Sequence, residues 1–158
     1  MTSFRVALGA FVAVAAVAWP APVDAAGAAS SDAPSASAAA RGTTITTRPS
    51  RFGRMLFDTR GQAIYVFQRD RRDRTTCYGA CAKAWPPVYT SGRPRAAGAA
   101  RSSLLGSIRR RDGRRQVTYA GKPLYFYVNE GPGEVRCHNV DLNGGLWWVI
   151  GPDGKRRP

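Results

Sequence analysis

The chain has 158 residues, with 24 lysine and arginine residues against 10 aspartate and glutamate residues, which gives a formal net charge of +14. It holds a single histidine and three cysteines. One histidine excludes a blue-copper site, which needs two, and makes a histidine-based hydrolytic triad hard to assemble. The positive charge attracts polyanions, although arginine clusters at turns are also typical of solvated loops.

The first 25 residues predict a secretory signal peptide. Arg5 supplies the positive start, residues 6–19 form an apolar segment, and the small residues of "VDA" at 23–25 are a cleavage site. The apolar segment is shorter than the roughly 20 residues of a membrane-spanning helix. We therefore expect an exported protein, periplasmic or secreted, with no transmembrane segment. Since no cysteine precedes Cys77, we expect no lipid anchor.

Residues 26–49 are rich in alanine, serine and threonine and almost free of large apolar side chains. Such a segment cannot bury enough surface to offset its chain entropy, so we predict a disordered tether. Residues 50–154 have the length and composition of one small domain, and residues 155–158 form a basic tail.

Strand and turn signals follow in chain order within this domain. "RMLF" (54–57) predicts a strand and "DTRG" (58–61) a turn. "AIYVFQ" (63–68) alternates as a strand with bulky side chains on both faces, so we expect it to be covered on both sides. "YGACAKA" (78–84) predicts a short helical turn that ends at two prolines, and Asp112-Gly113 predicts a hairpin.

An internal repeat relates the two halves of the domain. "GQAIYVFQRD" (61–70) aligns without a gap to "GKPLYFYVNE" (121–130) at an offset of 60 residues, which pairs Tyr65 with Tyr125. The same offset pairs Cys77 with Cys137, and a tryptophan-led apolar run follows each copy. The fold prediction is a small, mainly β, antiparallel domain. It has two hairpin-based repeats, about 54–89 and 107–150, related by a pseudo-twofold axis, and one short helical turn near Cys77–Ala84.

Four ordered motifs extend this pattern over residues 52–154: "LFDTRGQAIYVFQRD", "CYGACAKAWPPV", "RRDGRRQVTYAGKPLYFYVNEGPGE" and "GGLWWVIGPDG". With them the chain resembles the bacterial secreted-repeat family that carries a Tyr-x4-Asp motif, described as predicted lipoproteins of unknown function. The resemblance implies a secreted or surface-attached β-repeat protein without an established activity. Its motif residues here are Tyr65, Asp70, Tyr125 and Glu130. The chain departs from the family in Glu130, in "EVRCHNV" and in the missing anchoring cysteine.

The three cysteines leave several interpretations open. One disulfide with one thiol left over is expected in an oxidising compartment. The family's CxxxC motif favours Cys77 with Cys81, whereas the repeat symmetry favours a bridge to Cys137. Together with His138 the cysteines have the composition of a Cys₃His zinc site, although neighbouring residues of an extended segment point to opposite faces. Thioredoxin-like redox chemistry uses two intervening residues and a βαβ pattern, and both are missing here.

Two further sets of residues are candidates for a catalytic or a ligand-binding site. Asp70 and Glu130 have the chemistry of a glycosidase acid/base pair, but their repetition at strand ends favours acceptors for backbone N–H groups. The aromatic residues suit either a ligand groove or a core, and pairing in the core is the favoured interpretation. They are Tyr65, Phe67, Tyr125, Tyr127, Trp147 and Trp148.

The sequence therefore predicts an exported, non-enzymatic β-repeat protein without a cofactor. Its expected role is that of a binding or envelope-associated structural module. Its basic surface is expected to contact anionic envelope components through arginine clusters, and no specific nucleic-acid motif is present. The alternative is a periplasmic redox or metal-handling protein, for example a zinc protein, that uses Cys77, Cys81, Cys137 and His138.

Overall fold

The structure is a computed structural model and describes residues 42–158. The predicted signal peptide (1–25) and residues 26–41 of the predicted tether lie outside this part of the chain. The strands are β1 Thr44–Ser50, β2 Gly53–Asp58, β3 Tyr65–Phe67, β4 Arg95–Ala96, β5 Leu105–Arg109, β6 Arg115–Tyr119, β7 Lys122–Pro123, β8 Val140–Asp141 and β9 Leu146–Val149. A helix, α1, spans Ala80–Ala84, and a 3₁₀ turn spans Ser102–Leu104.

The strands form three small sheets, ordered β2-β1-β4, β3-β9-β8 and β5-β6-β7. All strand pairs in these sheets are antiparallel except β1 with β4. The mainly β fold with one short helix confirms the predicted fold class. The helix ends at Ala84 because Pro86 and Pro87 follow and cannot donate to a further turn.

The tether prediction is wrong for its last part, because β1 occupies residues 44–50. Ile45 and Thr47 of this strand are buried, and β2 pairs with it along its whole length. The segment is rich in threonine, a β-branched residue that suits a pleated, half-covered surface. The polar composition of residues 44–50 gives no apolar strand pattern in the sequence. The partner strand β2 supplies most of the apolar side chains of this pair.

Two predicted turns have the expected geometry. The amide of Gly61 donates to the carbonyl of Asp58, and Gly61 has a positive φ of 93°. In the predicted hairpin Gly113 has a φ of 81°, and its amide donates to the carbonyl of Arg110. Glycine adopts these left-handed conformations without the steric cost that a Cβ brings, so both turns follow from local sequence.

Residues 63–67, which contain β3, are covered on both faces, as the sequence predicts. On one side Ala63, Tyr65 and Phe67 contribute to a core that is rich in aromatic residues. On the other side Ile64 and Val66 contribute to a second, largely aliphatic core. Successive side chains of a strand point to opposite faces, so the side chains of this segment alternate between the two cores.

Two segments pair across the halves: β3, and the equivalent residues 124–128 of the second half. Each of them pairs with the tryptophan-led segment of the other half. β3 of the first half runs antiparallel to β9 of the second half. In the reciprocal pairing, residues 124–128 of the second half bond to residues 84–88 of the first half. Here the amide of Phe126 donates to the carbonyl of Pro86 at 2.8 Å, and the amide of Val128 to that of Ala84 at 3.0 Å. The sheet β3-β9-β8 therefore needs strands from both halves, whereas each of the other two sheets lies within one half.

This exchange predicts that the two halves fold only together. Cutting the chain between Ala100 and Arg101 leaves β1–β4 in one fragment and β5–β9 in the other. Each fragment alone exposes an unpaired central strand and half a core, so neither should fold as a monomer. An equimolar mixture should regain β-sheet circular dichroism, with a melting temperature that rises with concentration. A single fragment that melts cooperatively as a monomer would contradict the prediction.

Candidate functional site

The motif tyrosines of the two halves meet each other in the core. The amide of Tyr65 donates to the carbonyl of Tyr125 at 2.8 Å, and the amide of Tyr125 donates back at 3.0 Å. Each side chain then reaches the acid of the other half. The Tyr65 hydroxyl donates to Glu130 at 2.8 Å, and the Tyr125 hydroxyl donates to Asp70 at 2.6 Å. The repeated motif thus forms two crossed tyrosine–carboxylate pairs.

Each acid also closes the loop that follows its own strand. Asp70 accepts from the backbone amide and the hydroxyl of Thr76, at 2.7 and 2.9 Å. Glu130 accepts from the amides of Arg136 and Cys137, at 2.6 and 3.0 Å. Both carboxylates therefore act as acceptors for backbone N–H groups in the loops that follow their strands.

Burial shapes the protonation of these pairs. Desolvation raises the pKa of Asp70 and of Glu130, although the tyrosine and backbone hydrogen bonds oppose it. Desolvation also raises the pKa of Tyr65 and of Tyr125, and the neighbouring carboxylate acts in the same direction. Both tyrosines therefore remain neutral donors to the carboxylates over the physiological range.

Two stacked tryptophans cover the crossed pairs. The rings of Trp85 and Trp147 lie 3.8 Å apart with an interplanar angle of 3°. Trp85 meets Tyr65 edge to face, and Trp147 meets Tyr125 in the same way. Trp147 also stacks on Phe67. These aromatic residues form the centre of the core. The sequence places Trp85 only at the start of a repeated apolar run and does not predict its central position.

The loop from residue 71 to residue 76 is held in place by the first pair. Besides the bonds of Thr76 to Asp70, the Thr75 hydroxyl lies 2.6 Å from that of Tyr125. Because Tyr125 gives its proton to Asp70, Thr75 is the donor in this contact. The amide of Asp73 adds a bond to the carbonyl of Gly121 in the second half. The motif therefore fixes a loop whose sequence is rich in arginine.

This loop and the β5–β6 hairpin enclose a cleft of about 750 Å³, which we name the arginine cleft. Its lining residues are Arg69, Arg71, Asp73, Arg74, Thr75, Thr76, Tyr78, Ile108, Arg109 and Arg111. All five arginines are exposed. Among residues 42–158, none of the five forms a salt bridge with a carboxylate. Their charges therefore face the cleft without an internal counterion.

A buried arginine supports the cleft from below. Arg110 is 4% exposed, and its guanidinium donates to the Gln116 side chain at 2.6 Å and to the carbonyl of Cys77 at 2.7 Å. A third bond, at 3.3 Å, reaches the Thr75 hydroxyl. Its positive charge acts against the desolvation that raises the pKa of Asp70. In the sequence Arg110 is hidden among identical neighbours, and nothing there distinguishes it as buried.

The cysteines have separate roles. Cys77 and Cys81 form a disulfide with Cα atoms 5.3 Å apart, which confirms the disulfide prediction and the pairing that the CxxxC motif favours. The cross-half bridge that the repeat symmetry favoured is wrong, since Cys137 is a free, buried cysteine. Burial raises the pKa of its thiol.

The alternative metal set is not brought together as ligands. Cys77 and Cys81 are bonded to each other, so they present no thiolate. His138 packs against Phe52, and its Nδ1 accepts from the amide of Val149. Within residues 42–158 there is no group of three histidine, cysteine, aspartate or glutamate side chains placed to hold a metal ion.

The fold and the crossed motif define a small, duplicated β-repeat protein. A family model described as a secreted repeat of unknown function matches the chain twice, over residues 45–89 and 106–150. These matches cover more than half of the chain, so the protein belongs to this family, as the resemblance indicated. No curated protein and no solved structure matches it. No helix in residues 42–158 is long and apolar enough to cross a membrane.

A double-mutant cycle tests the crossed pairs. Tyr65→Phe should lower the free energy of unfolding by about 1–3 kcal/mol, because the buried carboxylate of Glu130 loses a donor. Combined with Glu130→Gln, it should show a coupling energy of about 0.5–3 kcal/mol in denaturant titrations. Tyr89→Phe is the matched control and should change stability by less than about 0.5 kcal/mol, because the Tyr89 hydroxyl has no hydrogen-bond partner among residues 42–158. Additive effects of the first two substitutions would show that the pair is not coupled.

Thiol titration tests the cysteine assignment. The native, unreduced protein should react slowly with a thiol reagent, because Cys137 is buried. Denaturation should release one thiol, and denaturation with reductant should release three. Cys137→Ser should abolish the thiol that denaturation alone releases and should lower the count with reductant from three to two. Reduction should lower the free energy of unfolding by about 2 kcal/mol, the loop-entropy value for so short a loop. Labelling of Cys81 without reductant would contradict the pairing.

Proposed function

We propose that this protein is a non-enzymatic binding module that acts outside the cytoplasm and holds anionic groups of the cell envelope in the arginine cleft. The observation that carries the proposal is the convergence of five exposed arginines on one cleft, without a salt bridge to any of them in residues 42–158. Like charges held together repel each other, and an anion that enters the cleft relieves this repulsion.

The chemistry of the lining suits oxyanions. Guanidinium groups bind phosphate and carboxylate through paired, parallel N–H donors. The hydroxyls of Thr75 and Thr76 also line the cleft, although both are engaged with the motif residues. The single acid in the lining, Asp73, lies 3.7 Å from Arg72, which is outside the lining, and offsets only part of the positive charge. The cleft therefore favours anions by charge and by donor geometry.

A polyanion-binding assay tests this function. Arg71→Gln combined with Arg74→Gln removes two cations from the arginine cleft, and both side chains are exposed, so the fold should persist. The matched control is Arg54→Gln with Arg95→Gln, which changes the net charge equally on exposed strand positions. Calorimetry with long-chain inorganic polyphosphate at low salt should show about tenfold weaker binding for the cleft variant.

The control variant should bind within about threefold of the unmodified protein, because Arg54 and Arg95 lie outside the cleft and contribute only long-range attraction. The dependence of log affinity on log salt concentration should become shallower for the cleft variant than for the control. Equal losses in both variants would show that net charge, and not the cleft, attracts the polyanion. An absence of binding by the unmodified protein would refute the function itself.

A further inference from the structure

The arginine cleft adjoins a row of two further depressions. A second cleft, of about 400 Å³, shares Tyr78 with the first. A third, of about 540 Å³, shares Tyr89 and Arg114 with the second. The three run along the turn of the β5–β6 hairpin where it faces residues 69–91. We name this connected surface the arginine groove.

Cationic side chains follow the groove along its whole length. The exposed ones are Arg69, Arg71, Arg74, Arg109 and Arg111 in the first cleft, Lys83 and Arg114 in the second, and Arg115 in the third. The buried Arg110 also borders the second cleft. Two acids, Asp73 and Asp112, share the lining, and Asp112 is paired with Arg114 at 2.7 Å. The excess of positive charge is therefore spread over a path, not concentrated at one point.

Two tyrosine rings hold several of these guanidinium groups in place. The guanidinium carbons of Arg110 and Arg111 lie 4.5 and 4.8 Å from the centre of the Tyr78 ring. That of Arg114 lies 4.0 Å from the centre of the Tyr89 ring. In such cation–π contacts the quadrupole of the ring attracts the guanidinium to the face of the ring. They orient the side chains before a ligand arrives, which reduces the entropy lost on binding.

From this arrangement we infer that the groove takes a linear polyanion with phosphate groups at intervals and no aromatic bases. The inference rests on the proposed function and specifies its ligand. A single small anion would fill one cleft and would not contact the cations of the other two, such as Lys83 and Arg115. A chain with repeated phosphates can engage all three clefts, and each added contact releases further counterions.

The tyrosines argue against single-stranded nucleic acid as the ligand. Proteins that bind such strands without sequence preference stack bases on free aromatic rings. Here the two rings in the groove, Tyr78 and Tyr89, already carry guanidinium groups. A stacking base would compete with these contacts. The groove is thus suited to recognise charge along a backbone, and not base faces.

A chain-length series with two variants tests the inference on the full protein. The first variant is the cleft variant, Arg71→Gln with Arg74→Gln. The second is Arg114→Gln with Arg115→Gln, which alters the far end of the groove. The probes are tripolyphosphate and long-chain polyphosphate at equal phosphate concentration. The far-end variant should lose about tenfold in affinity for the long polymer and less than twofold for tripolyphosphate. The cleft variant should lose affinity for both probes.

Further outcomes separate this inference from the proposed function. If the far-end variant binds the long polymer as the unmodified protein does while the cleft variant is weakened, the groove is refuted and the cleft stands. If neither probe binds, both proposals fail. An oligothymidylate of equal charge should bind no more tightly than polyphosphate. Tighter binding that Tyr78→Leu abolishes would overturn the inference in favour of nucleic acid. Vesicles containing phosphatidylglycerol that outcompete the long polymer would overturn it in favour of a membrane surface.

Discussion

Tyr65 and Tyr125 exchange both backbone hydrogen bonds at the centre of the protein, and each hydroxyl reaches the acid of the other half. Because the partners lie in different halves, none of these bonds can form until both halves are present. The stacked tryptophans close over the same point, each packed edge to face against one tyrosine. The sheets and the two cores are arranged around this contact.

The same contact determines the shape of the surface. A carboxylate buried beside a tyrosine needs further donors, since an unsatisfied buried charge is costly. Asp70 finds them in Thr76, six residues further along, and this pins the loop between them. That loop carries Arg71 and Arg74 to the hairpin that carries Arg109 and Arg111. The hydrogen bonds that the buried carboxylate of Asp70 needs thus fix the loop that places exposed arginines in the cleft.

Local signals in the sequence account for much of the fold. Glycine turns, the alternation around Tyr65 and the 60-residue offset identified the turns, the doubly covered strand and the duplication. The exchange of strands between halves was not predictable, because both halves have the same pattern and either pairing satisfies it. β1 was missed because its polar threonines resemble a linker. The burial of Arg110 is not predictable from the sequence, because it depends on where the hairpin packs and not on the spacing of residues.

The loops that Asp70 and Glu130 hold by hydrogen bonds differ in sequence between the two halves. In the first half the loop between Asp70 and Thr76 holds three arginines, whereas the matching loop from Glu130 to Arg136 has glycines and a proline in its place. Both copies retain the bonds that hold the centre together. The first copy brings its arginines to the cleft through this loop, whereas the second copy brings Arg109 and Arg111 through the β5–β6 hairpin. The same surface is thus built from different parts of the two copies.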